Sequence, residues 1–147
     1  MTEENTKKEI QIGDKMEDGS IFAGVSPDTG KQMFVMPQDG LVTSFNGAAK
    51  YAKNLNAKKI LGHDDWRVPT KAELNVLFQN KDKGALKGTF NLTGSLTAGW
   101  YWSSTPYGDY GAWQQRFGDG GQGGYCRNDG GQGNYDRDGD ASVRCVR

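Results

Sequence analysis

The residue types best suited to molecular recognition lie in two segments of the last third of the sequence, residues 106–111 and residues 118–141. Four tyrosines, Tyr107, Tyr110, Tyr125 and Tyr135, stand among glycine, aspartate, asparagine and arginine. Tyrosine offers a large amphipathic contact surface that only two χ angles must fix, and small polar neighbours let the backbone adapt to a partner. This composition is typical of antibody loops and predicts a binding surface. The alternative interpretation is a solvated low-complexity loop with incidental tyrosines.

The sequence contains no arrangement typical of catalysis or of metal binding. Ser103 and Ser104 lack the Gly-x-Ser-x-Gly context of an activated nucleophile, and His63 is the only histidine. Cys126 and Cys145 do not form a Cys-x-x-Cys pair, so two free thiols or one disulfide bridge both remain open. A phosphate-binding Gly-x-x-x-x-Gly-Lys motif is also missing. We therefore expect no catalytic residues, no metal site and no cofactor.

The second segment contains a short repeat. Residues 120–127 (GGQGGYCR) recur as residues 130–137 (GGQGNYDR). The repeat resembles the calcium-binding nonapeptide of β-rolls, but tyrosine replaces the aspartate that would bind calcium, and two copies cannot stack into a stable roll. The sequence therefore favours a long glycine-rich loop over a calcium site.

The first two thirds of the chain supply the elements that must position these segments. Two apolar runs, Ile21–Val25 and residues 32–36, flank a turn with Pro27 and Gly30 and predict a β-hairpin. Apolar residues at helical spacing after Ser44 predict a first amphipathic helix. A capping box, in which Thr70 and Glu73 can satisfy each other's backbone N–H groups, predicts the start of a second helix.

The last third is expected to consist of short strands and long loops. Strands are predicted at residues 100–102, 112–117 and 143–147, and they frame loops at 106–111 and 118–141. The terminal strand is expected to pair near Ile21–Val25. The large rings expected to be buried in the core are those of Trp66, Trp100, Trp102, Trp113 and Phe117.

Composition narrows the class of protein further. The chain has 147 residues, with 18 basic and 18 acidic side chains and 35% hydrophobic residues, which fits one domain with a modest core. A formal net charge of zero offers no long-range attraction for nucleic acid. The sequence also has no apolar run long enough to insert into a membrane, and its first residues do not resemble a signal peptide.

Four motifs in order carry a family resemblance: residues 65–74 (DWRVPTKAEL), 100–105 (WYWSST), 112–117 (AWQQRF) and 143–147 (VRCVR). Together they resemble a C-type-lectin-fold domain over about residues 20–147. The most similar branch comprises the variable proteins of diversity-generating retroelements and relatives with a collagen-like-protein C-terminal domain. The resemblance implies an α+β, C-type-lectin-like fold with two helices, a small antiparallel sheet and long glycine-rich C-terminal loops.

The same resemblance implies an origin for the unusual loops. In those families a reverse transcriptase misincorporates opposite template adenines, which turns asparagine codons into many others but not into Lys, Glu, Gln, Met or Trp. All of residues 107–111 obey this rule, and in residues 120–140 only Gln122 and Gln132 do not. The resemblance thus implies that Cys126 arose by diversification, whereas Cys145 belongs to the framework.

Residues 66–74 also resemble formylglycine-generating enzymes, which share the fold and oxidise with a cysteine pair. This resemblance supplies the alternative hypothesis of an oxidase or another enzyme on the same fold. The chain lacks the Glu-Pro-Asn type motif of calcium-dependent sugar-binding lectins, so that activity is not implied.

These observations lead to one functional hypothesis. We expect a flexible segment at 1–19 and a single domain at 20–147, with a diversified ligand-binding region at about 106–141. The protein would be a non-enzymatic, monomeric receptor for an unknown protein or surface ligand, soluble or displayed on a virion or cell surface through another component. The expected ligand-binding residues are Tyr107, Gly108, Asp109, Tyr110, Gly111, Gly121, Gly123, Gly124, Tyr125, Cys126, Asn128, Asn134, Tyr135, Asp136 and Asp138.

Overall fold

The computed structural model describes residues 9–92, 99–107, 111–126 and 141–147. Within these ranges the chain forms two α-helices, α1 (Phe45–Ala57) and α2 (Lys71–Gln79), and seven β-strands. The strands are β1 (Ile21–Val25), β2 (Gln32–Val35), β3 (Val42–Thr43), β4 (Trp100–Tyr107), β5 (Gly111–Arg116), β6 (Gln122–Cys126) and β7 (Ala141–Ser142). The predicted α+β class is confirmed.

The predicted hairpin and both predicted helices are present. Strands β1 and β2 pair antiparallel, with an irregularity at Gly24, whose φ of 116° suits glycine. The Ser44 side chain accepts a hydrogen bond from the backbone of Gly47 and caps α1. The capping box of Thr70 and Glu73 forms at the start of α2 as the sequence predicts.

The other strands form one sheet in the order β3-β7-β4-β5-β6. The β4–β5 and β5–β6 pairs are antiparallel, whereas β7 pairs in parallel with β4 through Tyr101 and Ser142. Strand β6 corrects the expectation that residues 118–141 form one continuous loop. The loop expected at 106–111 is also shorter, because β4 runs to Tyr107 and β5 begins at Gly111.

Two apolar clusters cover the opposite faces of β4, because neighbouring side chains of a strand point in opposite directions. Tyr101 belongs to a cluster with Leu74 and Leu77 of α2, and Trp102 to a cluster with Ala48 and Ala52 of α1. Each helix therefore fixes one face of the central strand.

Three of the five rings expected in the core are fully buried, and two are not. Trp66, Trp102 and Phe117 are at most 2% exposed. Trp100 and Trp113 are only half-buried, which corrects the expectation for these two residues. Each ring has a cation over its face, Arg116 over Trp100 and Lys71 over Trp113.

Residues 143–147 pair with a different partner than expected. The backbones of Phe34 and Arg147 exchange two hydrogen bonds of 2.8 Å, and the backbones of Arg67 and Val146 exchange two more. The partner is therefore β2 together with the segment before α2, and not β1. Strand β1 is instead covered on its other edge by residues 13–15, through a bridge from Lys15 to Ile21.

A buried arginine fixes this final segment. Arg144 is 0% exposed, and its guanidinium donates hydrogen bonds to the Met36 carbonyl, to Asp39 and to both oxygens of Thr89. It also lies over the Phe90 ring, with 4.2 Å between the guanidinium carbon and the ring centroid. Burial lowers the pKa of Arg144, and the Asp39 carboxylate counteracts this effect.

No helix within the described residues is long and apolar enough to cross a membrane.

Candidate functional site

The two segments predicted to bind a ligand meet at one end of the sheet. Tyr107 at the end of β4 pairs with Gly111 at the start of β5, and Gly111 pairs on its other side with Cys126 at the end of β6. Three strand ends thus lie side by side. The described part of the first segment is therefore adjacent to the described part of the second.

The predicted residues differ in exposure at this end of the sheet. Tyr107 is 46% exposed, whereas Gly111 is buried. Gly121 and Gly123 are intermediate. Gly124 and Tyr125 pair with Trp113 and Ala112 of β5. The other predicted residues, which lie outside the described residues, are Gly108, Asp109, Tyr110, Asn128, Asn134, Tyr135, Asp136 and Asp138.

An aromatic platform next to these strand ends was not predicted as part of the site. The platform consists of Trp113, Tyr107 and Lys71. The Trp113 and Tyr107 rings have centroids 4.8 Å apart, and the Lys71 Nζ lies 3.5 Å from the Trp113 centroid. A cation over an indole face is attracted by the ring quadrupole, which holds the ring in place. The sequence pattern assigned Trp113 to the core because it shares a strand face with Phe117.

A recess of about 340 Å³ lies beside the platform. Its lining residues come from four parts of the chain: Asp28, Lys71, Ala72, Asn75, Thr105 and Gln122. Gln115 supports the lining residue Asn75. The Gln115 side chain is 1% exposed, and its amide nitrogen donates hydrogen bonds to Asn75 Oδ1 and to the Gly120 carbonyl. The recess therefore presents a few hydroxyl, amide and charged groups on a surface that is mostly apolar, as small-molecule sites commonly do.

A buried carboxylate fixes the start of α2 and hence Lys71. Glu73 is 0% exposed and accepts hydrogen bonds from both terminal nitrogens of Arg67, from the Ser26 hydroxyl and from the Thr70 backbone. Burial by itself raises the pKa of Glu73, but the bonds from Arg67 and Ser26 outweigh it, so the pKa is lowered. Glu73 is therefore ionised at neutral pH. Its hydrogen bonds connect the start of α2 to Ser26, which directly follows β1, and to Arg67.

The lone histidine makes a contact that the sequence did not indicate. His63 Nε2 lies 2.6 Å from Asp18 Oδ2, across 45 residues of sequence. Partial burial raises the pKa of Asp18, but hydrogen bonds from Ser20 and His63 outweigh it and lower the pKa to about 2. The contact ties residues 16–20 to the loop after α1. Because only spatial proximity joins the two residues, no local pattern could have revealed the pair.

The cysteine described with its side chain has an unreactive environment. Cys145 is 1% exposed within the cluster that contains Trp102, and burial raises its pKa to about 12. A thiol with so high a pKa carries almost no thiolate at neutral pH. Within the described ranges, no group of three or more His, Cys, Asp or Glu side chains is placed to hold a metal ion.

The fold and the site together define a class of protein. It is an α+β domain in which residues 141–142 form a strand of the sheet and the residues that follow pair with β2 and with Arg67. This framework carries an exposed aromatic platform and a recess next to two glycine-rich segments. The chain belongs to the Lcl C-terminal domain family, whose model matches residues 17–147. A comparison with curated proteins gives no match.

Proposed function

We propose that this domain is a non-enzymatic binding module whose ligand contacts the end of the sheet formed by β4, β5 and β6. The observation that carries the proposal is the half-exposed ring of Tyr107 on the Trp113–Lys71 support, where the first glycine-rich segment lies beside Cys126 of the second. Aromatic side chains held on a rigid framework give contact area at little cost in conformational entropy. The partner would be a protein or another surface ligand, bound by a monomer.

Diversification by a retroelement is the finer part of this proposal. Two of the three platform residues, Trp113 and Lys71, are types that adenine-directed mutagenesis of asparagine codons does not produce, whereas Tyr107 is a type that it does. Trp113 and Lys71 lie on the framework, whereas Tyr107 lies at the edge of the loop. This distribution supports a binding surface in which the supporting residues are constant and the loop residues vary.

Sequencing the gene in many isolates tests the diversification. We expect substitutions to be concentrated at residues 107–111 and 121–138, at positions where a neighbouring near-copy of the gene has adenine, and to be absent at Trp113 and Lys71. Equal variation across α1, α2 and the loops would contradict the proposal.

A selection experiment tests the capacity to bind. The fifteen expected ligand-binding positions would be randomised in a displayed library and selected against streptavidin as a test ligand. In binders that retain Tyr107, Tyr107→Ala should weaken binding by about 2 kcal/mol if the ring lies at the contact centre. The same change should lower the free energy of unfolding by only about 1 kcal/mol, because the ring is 46% exposed and loses chiefly its contact with Trp113. Failure to obtain any binder would contradict the proposal.

An enzyme assay distinguishes the alternative oxidase. The protein would be incubated with copper and a cysteine-containing peptide, and formation of the oxidised peptide would be followed by mass spectrometry. The buried Cys145 supports the binding module, since an oxidising cysteine pair needs accessible thiols. Turnover that Cys126→Ser abolishes would overturn the proposed function.

A further inference from the structure

A second recess lies on the α1 side of the domain, apart from the platform. It is a groove of about 430 Å³ between α1 and the segment that leads into α2. Its volume falls within the range of about 300–1,000 Å³ that is usual for small-molecule sites. The lining includes Ala49, Lys53 and Asn56 of α1 and Trp66, Arg67 and Val68 of the segment before α2.

The floor of this groove is apolar and fixed. Trp66 is 2% exposed and Val68 is 8% exposed, and both belong to the cluster that packs beneath α1. The Asn56 side chain donates to the Trp66 carbonyl and accepts from the Trp66 backbone, and the indole Nε1 donates to the Ile60 carbonyl. The ring therefore cannot turn away, and the groove is present before any ligand arrives.

The rim of the groove carries one positive charge that is not paired within the described residues. Lys53 and Arg67 are the charged residues that line it, and no aspartate or glutamate in the described part of the chain does so. The charge of Arg67 is compensated by its two hydrogen bonds to Glu73. Lys53 is exposed on α1 and has no ion-pair partner among the described residues. An anion at this rim would therefore gain an attraction that the protein itself does not satisfy.

We propose that this groove binds a small amphipathic anion, a compound with an aromatic or alkyl body and a single carboxylate or sulfonate group. The body would lie on the apolar floor, and the anionic group would pair with Lys53. This site can be tested independently of the proposed function, because its lining shares no residue with the platform or with the recess beside it.

The test uses 2-naphthoate as the probe and the whole chain as the protein, with binding followed by 1H–15N NMR titration. We expect saturable shifts centred on the amides of Ala49, Lys53 and Asn56. The neutral analogue 2-naphthamide should bind at least about threefold more weakly, since it lacks the charge that Lys53 attracts. Acetate, which has no apolar body, should give no saturable shift at the same concentrations.

Variants of exposed residues separate the two parts of the proposed site. Lys53→Gln should raise the dissociation constant for 2-naphthoate about three- to fivefold, as expected for a partly exposed ion pair. The matched control Lys58→Gln removes an exposed lysine that does not line the groove, and it should change the constant less than twofold. Ala49→Trp should fill the groove and weaken binding at least about tenfold.

Two results would overturn the inference. One is equal binding of 2-naphthoate and 2-naphthamide, or equal effects of Lys53→Gln and Lys58→Gln, which would remove the role of the rim charge. The other is a set of shifted amides that lies elsewhere on the domain. Because Lys53 and Lys58 are both exposed, their variants should fold even if Ala49→Trp does not.

Discussion

The contact between Asp39 and Arg144 allows a quantitative test of how the domain is held together. Asp39→Ala removes the carboxylate that accepts from the buried Arg144 at 2.9 Å and from the Tyr101 hydroxyl at 2.7 Å. A hydrogen bond to a charged group contributes about 1.5–3 kcal/mol, and the tyrosine bond adds about 1 kcal/mol. Asp39 is 25% exposed, so water can replace part of the loss. We expect the free energy of unfolding to fall by about 3 kcal/mol, near the lower limit for breaking a buried ion pair.

Urea denaturation followed by tryptophan fluorescence measures this change. A matched control is Asp65→Ala, which breaks the ion pair of Asp65 with Arg147 at 2.7 Å but at a carboxylate that is 59% exposed. Exposed pairs contribute about 0.2–1 kcal/mol. The two variants remove the same side chain and the same type of partner, so that burial of the arginine is the main difference between them.

A double variant separates the loss of the Asp39–Arg144 contact from the cost of leaving Arg144 buried without its carboxylate partner. Arg144→Met combined with Asp39→Ala removes both charges, so the double variant should lose less than the sum of the two single losses. Equal losses for Asp39→Ala and Asp65→Ala would refute the reasoning, as would strict additivity in the double variant.

Three further outcomes follow from burial and pKa. Trp102→Ala should destabilise the domain by about 3–5 kcal/mol because the ring is 0% exposed, whereas Trp113→Ala, at a half-buried ring, should lose less than half of that in the same denaturation assay. Asp18 has a folded-state pKa of about 2 against an ordinary value of 3.8, so its contribution is complete above the ordinary pKa and is lost as the pH falls toward 2. Between pH 5 and pH 2 the free energy of unfolding should therefore fall by about 1–2 kcal/mol less in Asp18→Asn than in the unchanged protein, because Glu73 and Asp65, whose pKa values are also lowered, lose their contributions in both. His63→Gln should also make the fall smaller, since it removes one of the groups that lower the pKa of Asp18. Cys145, with its pKa raised to about 12 by burial, should resist iodoacetamide at pH 8 in the folded protein and react in urea, as mass spectrometry would show; rapid labelling of the folded protein would contradict its place in the core.

The parts of the fold that the sequence predicted correctly are those specified by local chemistry. The β1–β2 hairpin follows from two apolar runs around a turn, and both helices follow from a cap and a 3.6-residue apolar period. Thr70 and Glu73 form the predicted capping box because each satisfies a backbone group only three residues away. Such signals depend on neighbours in sequence and are visible without a structure.

The parts that the sequence did not predict depend on distant partners. Residues 143–147 were expected to pair near β1, but they pair with β2, the other strand of that hairpin, and with Arg67, to which no local pattern points. Strand β6 was missed because Gly123 and Gly124 have low intrinsic preference for strands, and pairing with β5 determines its conformation. Two-residue strands such as β3 and β7 are too short to give an alternation pattern.

Sequence patterns located the candidate site but not its support. Tyr107 was identified from the composition of its surroundings, whereas Trp113 was assigned to the core because it shares a strand face with Phe117. The Lys71 contact with Trp113 joins the first turn of α2 to the middle of β5, which lie 42 residues apart in sequence. Composition can indicate which residues bind, but the groups that hold them in place come from the tertiary fold.

Residues 141–147 contribute to both apolar clusters, and this has a consequence for chains that are made without them. These residues supply Ala141 and Val143 to one cluster and Val146 to the other, and they contribute the buried Arg144. A ribosome that stops early or shifts reading frame anywhere in the preceding segment makes a chain without them, and neither cluster can then close. Such chains expose apolar surface and are removed by cellular proteases. Only a chain in which the glycine-rich segment before residues 141–147 was translated completely and in frame can therefore fold.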